Sequence, residues 1–180
     1  IDTLQLHHGM DVYFGHSQTQ TLKALLAQGT CLRNIDLFST STGTQTTLTD
    51  AVGVNSLDYV RLRDIRVQGG ATWNATNVLD DGNNTGFNMT PLATQTYYWI
   101  GGAGNWNDVS KWSLSSGGPV AGCLPTRVDH VVFDQLSFPG SNQTVTLNVA
   151  AEVVNMTWTA GVNASPNFSG GQTLIINGDL

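Results

Sequence analysis

The chain has 180 residues and a formal net charge of −6, from 7 Lys and Arg against 13 Asp and Glu. Charged residues make up 11% of it, against about 25% in an ordinary soluble domain, so Thr, Ser, Asn, Gln and Gly must supply the polar surface. There is no basic footprint for nucleic acid, and no apolar run approaches the roughly 18 residues of a membrane span.

With 18 Leu, 16 Val, 6 Ile and 6 Phe the chain can bury a core, in one domain or two small ones. It starts at Ile1 in an apolar–polar alternation, without initiator Met or signal peptide, and stops at Asn177-Gly178-Asp179-Leu180 just after a strand. It therefore reads as a piece of something longer.

In chain order, the first element is Thr21–Gly29, with leucines at i, i+3 and i+4 and a Gly in the C′ position, a pattern that predicts a short helix. Short apolar alternations then take over, at Ile35-Asp36-Leu37, Thr46–Thr49 and Asp58–Val67, each a strand signature. The last of these slips phase. Val60 and Leu62 share one face, but Ile65 and Val67 have the opposite parity. Side chains alternate strictly along a strand, so Arg63-Asp64 must be a bulge or a corner between two short strands. Four more strands are predicted at Asp129–Asp134, Thr144–Asn148, Val153–Trp158 and Thr173–Asn177.

Short, unevenly spaced strands with Gly, Asn, Ser and Pro between them fit stacked rungs of about 20 to 30 residues. The expected fold is all-β, a right-handed parallel β-helix (solenoid), with a β-sandwich as the alternative. A composition change near Thr90–Thr96 divides the chain into residues 1–93 and 94–180. The second part opens on a Trp- and Gly-rich block, Tyr97–Ser113. Cys31 and Cys123 match no zinc or redox spacing, and are read as a disulfide, two buried thiols or halves of other bridges. Seven Asn-x-Ser/Thr triplets, at Asn74, Asn83, Asn88, Asn142, Asn155, Asn163 and Asn167, are glycan acceptors only in a eukaryotic secreted setting.

Trp99-Ile100-Gly101-Gly102-Ala103-Gly104-Asn105-Trp106, then Lys111-Trp112-Ser113, Gly117-Gly118, Cys123-Leu124-Pro125-Thr126 and Val131-Val132-Phe133-Asp134, form one motif set. Gly29-Thr30-Cys31, Ile65-x-Val67-x-Gly69-Gly70 and Asp81–Phe87 form an earlier one. Together they resemble a repeat of very large Bacteroidetes surface proteins, which include SprB-type gliding-motility adhesins and other type IX secretion cargo. The resemblance implies tandem β-helix-like modules, with the end of one repeat in 1–93 and the start of the next in 94–180. It also implies an extracellular or cell-surface location and contact with outer-membrane secretion or motility machinery. It brings no catalytic residues.

The residues suggest several sites. Trp99, Trp106 and Trp112 could form a platform for sugar rings, although indoles in a Gly-rich segment more often plug a core. Asp80, Asp81 and Asn83 offer hard oxygen ligands around a Gly turn, as calcium loops do, but Asx-Gly clusters also simply make turns. Arg61, Arg63 and Arg66 with Asp58 and Asp64 could imitate the acid–base outer face of a β-helix lyase. The plainer reading is an exposed rung edge of alternating charge. Zincin, nucleophile-elbow and phosphate-loop motifs are missing. The expectation is a non-catalytic structural or adhesive segment whose partners are surface glycans or other cell-surface components. It has no cofactor apart from possible calcium, and its alternative is a carbohydrate-binding module of a secreted polysaccharide-degrading protein.

Overall fold

The computed structural model describes residues 1–159 and 167–180. The described chain is all-β apart from a 3-10 turn at Val109–Lys111, and it divides into two compact units, Ile1–Leu92 and Ala93–Leu180.

The first unit runs through its strands three at a time. β1 (Thr3–His7), β2 (Asp11–Phe14) and β3 (Thr19–Thr21) are followed by β4 (Ala24–Gln28), β5 (Ile35–Ser39) and β6 (Thr46–Thr49). Next come β7 (Val54–Asp58), β8 (Val60–Arg63) and β9 (Ile65–Gln68), and then β10 (Thr72–Asp80) and β11 (Asn88–Pro91). Strands three places apart pair in parallel, which makes three ladders: β1–β4–β7–β10, β2–β5–β8 and β3–β6–β9.

β10 serves two ladders. Thr72–Thr76 lies beside β7, while Leu79 and Asp80 lie beside β8. Asn77 at φ +50° turns the chain between them. The first two ladders thereby join into one strongly curled eight-stranded sheet, and a bridge from Arg66 to Thr85 extends the third.

Parallel pairing in register lines up like residues inside. Leu6, Ala27, Leu57 and Ala75 form one interior row, and Val12, Leu37 and Leu62 another. All but Val12 are buried in one continuous cluster, against which Val12 packs. Each fully buried Leu contributes about 1.5–3 kcal/mol of hydrophobic stabilisation.

Between β7 and β8, and again between β8 and β9, the corner is a single residue. Tyr59 (φ +47°) and Asp64 (φ +59°) take the left-handed conformation there, which reverses side-chain parity and lets apolar residues on both sides of the corner point inward. Tyr59 also fixes its neighbour, because a Cβ at Gly29 would stand 2.3 Å from the Tyr59 carbonyl oxygen. Polar groups are built into this interior as well, Thr46 and Asn55 among them. Asn55 is fully buried; its Oδ1 accepts the Leu25 N–H at 2.6 Å and its Nδ2 donates to Asp50 at 3.1 Å.

The second unit holds β12 (Thr96–Trp99), β13 (Gly104–Asn105), β14 (Trp112–Ser113), β15 (His130–Phe133) and β16 (Thr144–Thr146). It continues with β17 (Ala151–Val153), β18 (Met156–Trp158), β19 (Asn167–Ser169) and β20 (Leu174–Ile176). Parallel ladders recur as β12–β15–β18, β13–β16–β19 and β17–β20. The exception is β14, which folds back antiparallel on the outer edge of β12, pairing Trp112 with Trp99. This mixed sheet covers an edge that would otherwise expose unpaired backbone groups.

Three expectations are corrected. Thr21–Gly29 is not helical: Ala24–Gln28 is β4, with Leu25 and Ala27 fully buried and Leu26 turned outward. Pairing with β1 on one side and β7 on the other satisfies its backbone, and two turns of leucine periodicity cannot outweigh that. Val153–Trp158 is two strands with a break at Val154-Asn155. The antiparallel layers of a sandwich are absent from the described residues, where all ladders but β12–β14 are parallel. Neither Cys31 nor Cys123 is a free thiol. Asn163 lies outside the described residues.

Candidate functional site

The third ladder presents an outer face of side chains. Burial alternates along β9, so Ile65 and Val67 point in while Arg66 and Gln68 point out. The same alternation in β6 turns Thr47 and Thr49 outward. Register then places Thr19, Thr47, Arg66 and Thr85 in one outer row and Thr21, Thr49 and Gln68 in the next. Two Thr-x-Thr pairs 28 positions apart in the sequence are thus neighbours in space.

At the far end of this face lies a groove of about 450 Å³ lined by Gln45, Arg66, Val67, Gln68, Thr85 and Gly86. Its floor has no room for a side chain: Gly86 has φ +91°, and a Cβ there would stand 2.2 Å from the Val67 carbonyl oxygen. Gln45 is held in place, its Nε2 donating to the Asn83 carbonyl at 2.8 Å and to Thr85 Oγ1 at 3.4 Å. Among the described residues Arg66 forms no ion pair, and no lining residue is acidic.

The other two arginines of the same run are committed elsewhere. Arg61 donates from Nε and Nη2 to Asp81 Oδ2, both at 2.7 Å, and stands 3.7 Å from Asp36. The Arg61 and Arg63 guanidinium carbons lie 5.4 and 4.4 Å from the Phe38 ring centroid, with Tyr13 edge-on to the same ring at 5.8 Å. Phe38 faces outward yet is only 5% exposed, because this cation–π and aromatic cover shields it. Asp64 lies 3.6 Å from Arg63, and accepts hydrogen bonds from the Gly43 N–H at 2.9 Å and Asn83 Nδ2 at 2.6 Å. Asp58 accepts from Thr76 and Asn77, both at 2.8 Å. The arrangement holds corners together and, among the described residues, leaves Arg66 as the one arginine of this run without an ion pair.

The predicted calcium ligands are occupied in the same way. Asp80 Oδ1 accepts from the Gly82 N–H at 2.8 Å and Asn84 Nδ2 at 2.6 Å, Asp81 binds Arg61, and Asn83 binds Asp64. Among the described residues no three His, Cys, Asp or Glu side chains are grouped to hold a metal ion.

The sugar-platform expectation for Trp99, Trp106 and Trp112 is corrected by their burial, at 0%, 3% and 0% exposure. Their rings pack edge to face: Trp112 lies 5.0 Å from Trp99, 4.9 Å from Trp106, and 6.3 Å from both Tyr97 and Phe133. Trp99 Nε1 donates to the Gly102 carbonyl at 2.7 Å and Trp112 Nε1 to the Trp106 carbonyl at 2.9 Å, so these two buried indole N–H groups are satisfied.

His7, His8 and His16 are exposed and His130 half-buried, and among the described residues no histidine pairs with a carboxylate. Reasoning from the sequence missed Gln45, Gln68, Thr85 and Gly86. The signal lay in the in-phase alternation Arg66-Val67-Gln68, but the facing residues come from other strands. No family of known proteins, curated protein or solved structure matches the chain.

Proposed function

We propose that the chain is a non-catalytic structural and adhesive segment of a large extracellular surface protein, built as coils of a parallel β-helix. The observation that carries this reading is the pairing of each of the strands β1 to β7 with the strand three places on, in parallel and in register. Such a ladder grows by adding coils, each of which buries the apolar face of the one before. It therefore suits a spacer that holds binding surfaces away from a cell.

The low charge of 11% and the Thr-rich outer rows leave a hydrogen-bonding exterior suited to wetted glycan or protein surfaces. The resemblance to gliding-motility adhesin repeats supports the same reading. So does the commitment of the Asp and Arg side chains to corner hydrogen bonds and ion pairs, which leaves no acid–base pair free on the arginine face.

The test is single-molecule stretching of the chain from its two ends. The first unit is expected to unfold in several force peaks as coils peel away, and Leu37→Asp, in an interior row, is expected to remove them. Featureless extension of the wild-type chain, or depolymerisation of any member of a broad polysaccharide panel, overturns the proposal.

A further inference from the structure

We infer that the groove at Arg66 binds an anionic saccharide, a sugar unit bearing carboxylate or sulfate within an acidic polysaccharide that lies across the third ladder. The inference rests on the adhesive reading and names its ligand class.

Three observations converge. The groove of about 450 Å³ has the dimensions for a small polar ligand and is walled by the amides of Gln45 and Gln68 and the hydroxyl of Thr85, the donors and acceptors that sugar hydroxyls use. Arg66 stands in it as a cation without an acidic partner, in a chain whose net charge is −6. Asp64, two residues before it in the chain, is already engaged with Gly43, Asn83 and Arg63, and Asp81 with Arg61. A planar guanidinium with free N–H groups matches the two oxygens of a carboxylate or sulfate.

The pinned Gln45 and the closed glycine floor present these groups ready-made, which lowers the ordering cost of binding. Beyond the groove, Thr47 and Thr49 continue the same face, so neighbouring sugar units of a chain meet hydroxyls rather than charges.

The test is calorimetric titration of the full chain with three probes: a galacturonate oligomer, a sulfated dextran oligomer and neutral maltotriose. Binding to one or both anionic probes, weakened by salt and absent for maltotriose, is expected. Whichever anionic probe binds identifies the acidic group. Arg66→Gln should weaken binding roughly tenfold or more, the worth of one charge-assisted pair, while Gln45→Ala weakens it less.

Arg66 is exposed and unpaired, so its replacement should leave the melting curve unchanged. Lys23→Gln, which removes an exposed cation paired to Asp2, should bind as wild type. Equal loss in Arg66→Gln and Lys23→Gln, or no binding of either anionic probe, overturns the inference. If the stepwise force peaks survive that result, the structural reading stands without this ligand. If the peaks are lost while binding persists, the groove stands without the structural reading.

Discussion

The two units bury their cores in different ways. In Ile1–Leu92 the interior is mainly aliphatic, with Leu, Ile, Val and Ala arranged in rows across three ladders. In Ala93–Leu180 it is aromatic: Tyr97, Trp99, Trp106, Trp112, Phe133 and Phe138 share one cluster with Trp158 packed against it. The difference follows from regularity. Where strands recur in register, each row needs only a modest side chain to meet the identical position above it. The second unit has two- and three-residue strands and a fold-back hairpin, and large rings fill the irregular space between them. An in-register ladder spreads its stability over many small contacts, whereas the aromatic unit concentrates it in two hubs, Trp112 and Phe133.

That contrast can be broken by mutation. Trp112→Ala deletes the ring touching four others and should cost the second unit about 4 kcal/mol, within the range of buried Trp truncations. Denaturant unfolding followed by Trp fluorescence measures it, and a cost below that of a single Leu truncation would abolish the hub argument. Leu37→Ala, in a row flanked by Val12 and Leu62, should cost the first unit about 3 kcal/mol. Ladder neighbours limit collapse into the cavity there, and a much smaller value would mean that the rows are loosely packed.

Asn55→Ala should cost about 2 kcal/mol, because it orphans the buried Leu25 N–H and removes the partner of Asp50. Thermal melting is the readout, and Asn55→Asp should not restore the loss, since a carboxylate cannot donate to Asp50.

The smallest effect belongs to Asp108 at the start of the 3-10 turn. The Ser110 hydroxyl at 2.7 Å, then the Ser110 N–H at 2.9 Å, hold its carboxyl below its ordinary value of 3.8, with Lys111 adding to them. A lowered value means that the folded chain prefers the ionised form. The stability this gives is complete at neutral pH and is lost as pH falls through the acid range below 3.8. Asp108 is only half-buried at the surface, so Asp108→Asn should only slightly flatten the acid limb of the stability curve. Titration of its carboxyl by NMR reads the shift directly.

Several features of the fold were legible in the residues. The parity change at Arg63-Asp64 marked a corner, because alternation admits no other way to keep Val60, Leu62, Ile65 and Val67 inside. The equivalent corner at Tyr59 was written in the spacing of Leu57 and Val60, but an aromatic residue at positive φ is a turn signal that composition does not advertise. The predicted helix failed for the opposite reason, since a local leucine pattern was decisive only until two neighbouring strands claimed the same backbone. The tryptophan block was legible as an aromatic cluster. Whether its rings faced water or one another depended on where β14 folded back.

Alternation, parity slips and low charge, all local along the chain, determined on their own that this protein is β-rich, with short strands, an apolar interior and a sparsely charged polar exterior. Only the tertiary structure decided which strand lies beside which, because the loops between strands differ in length and register is set by long-range pairing. That choice places Thr47 beside Arg66, and Arg66 beside Thr85. It leaves one cation free among neutral donors while its neighbours are spent on carboxylates and aromatic rings.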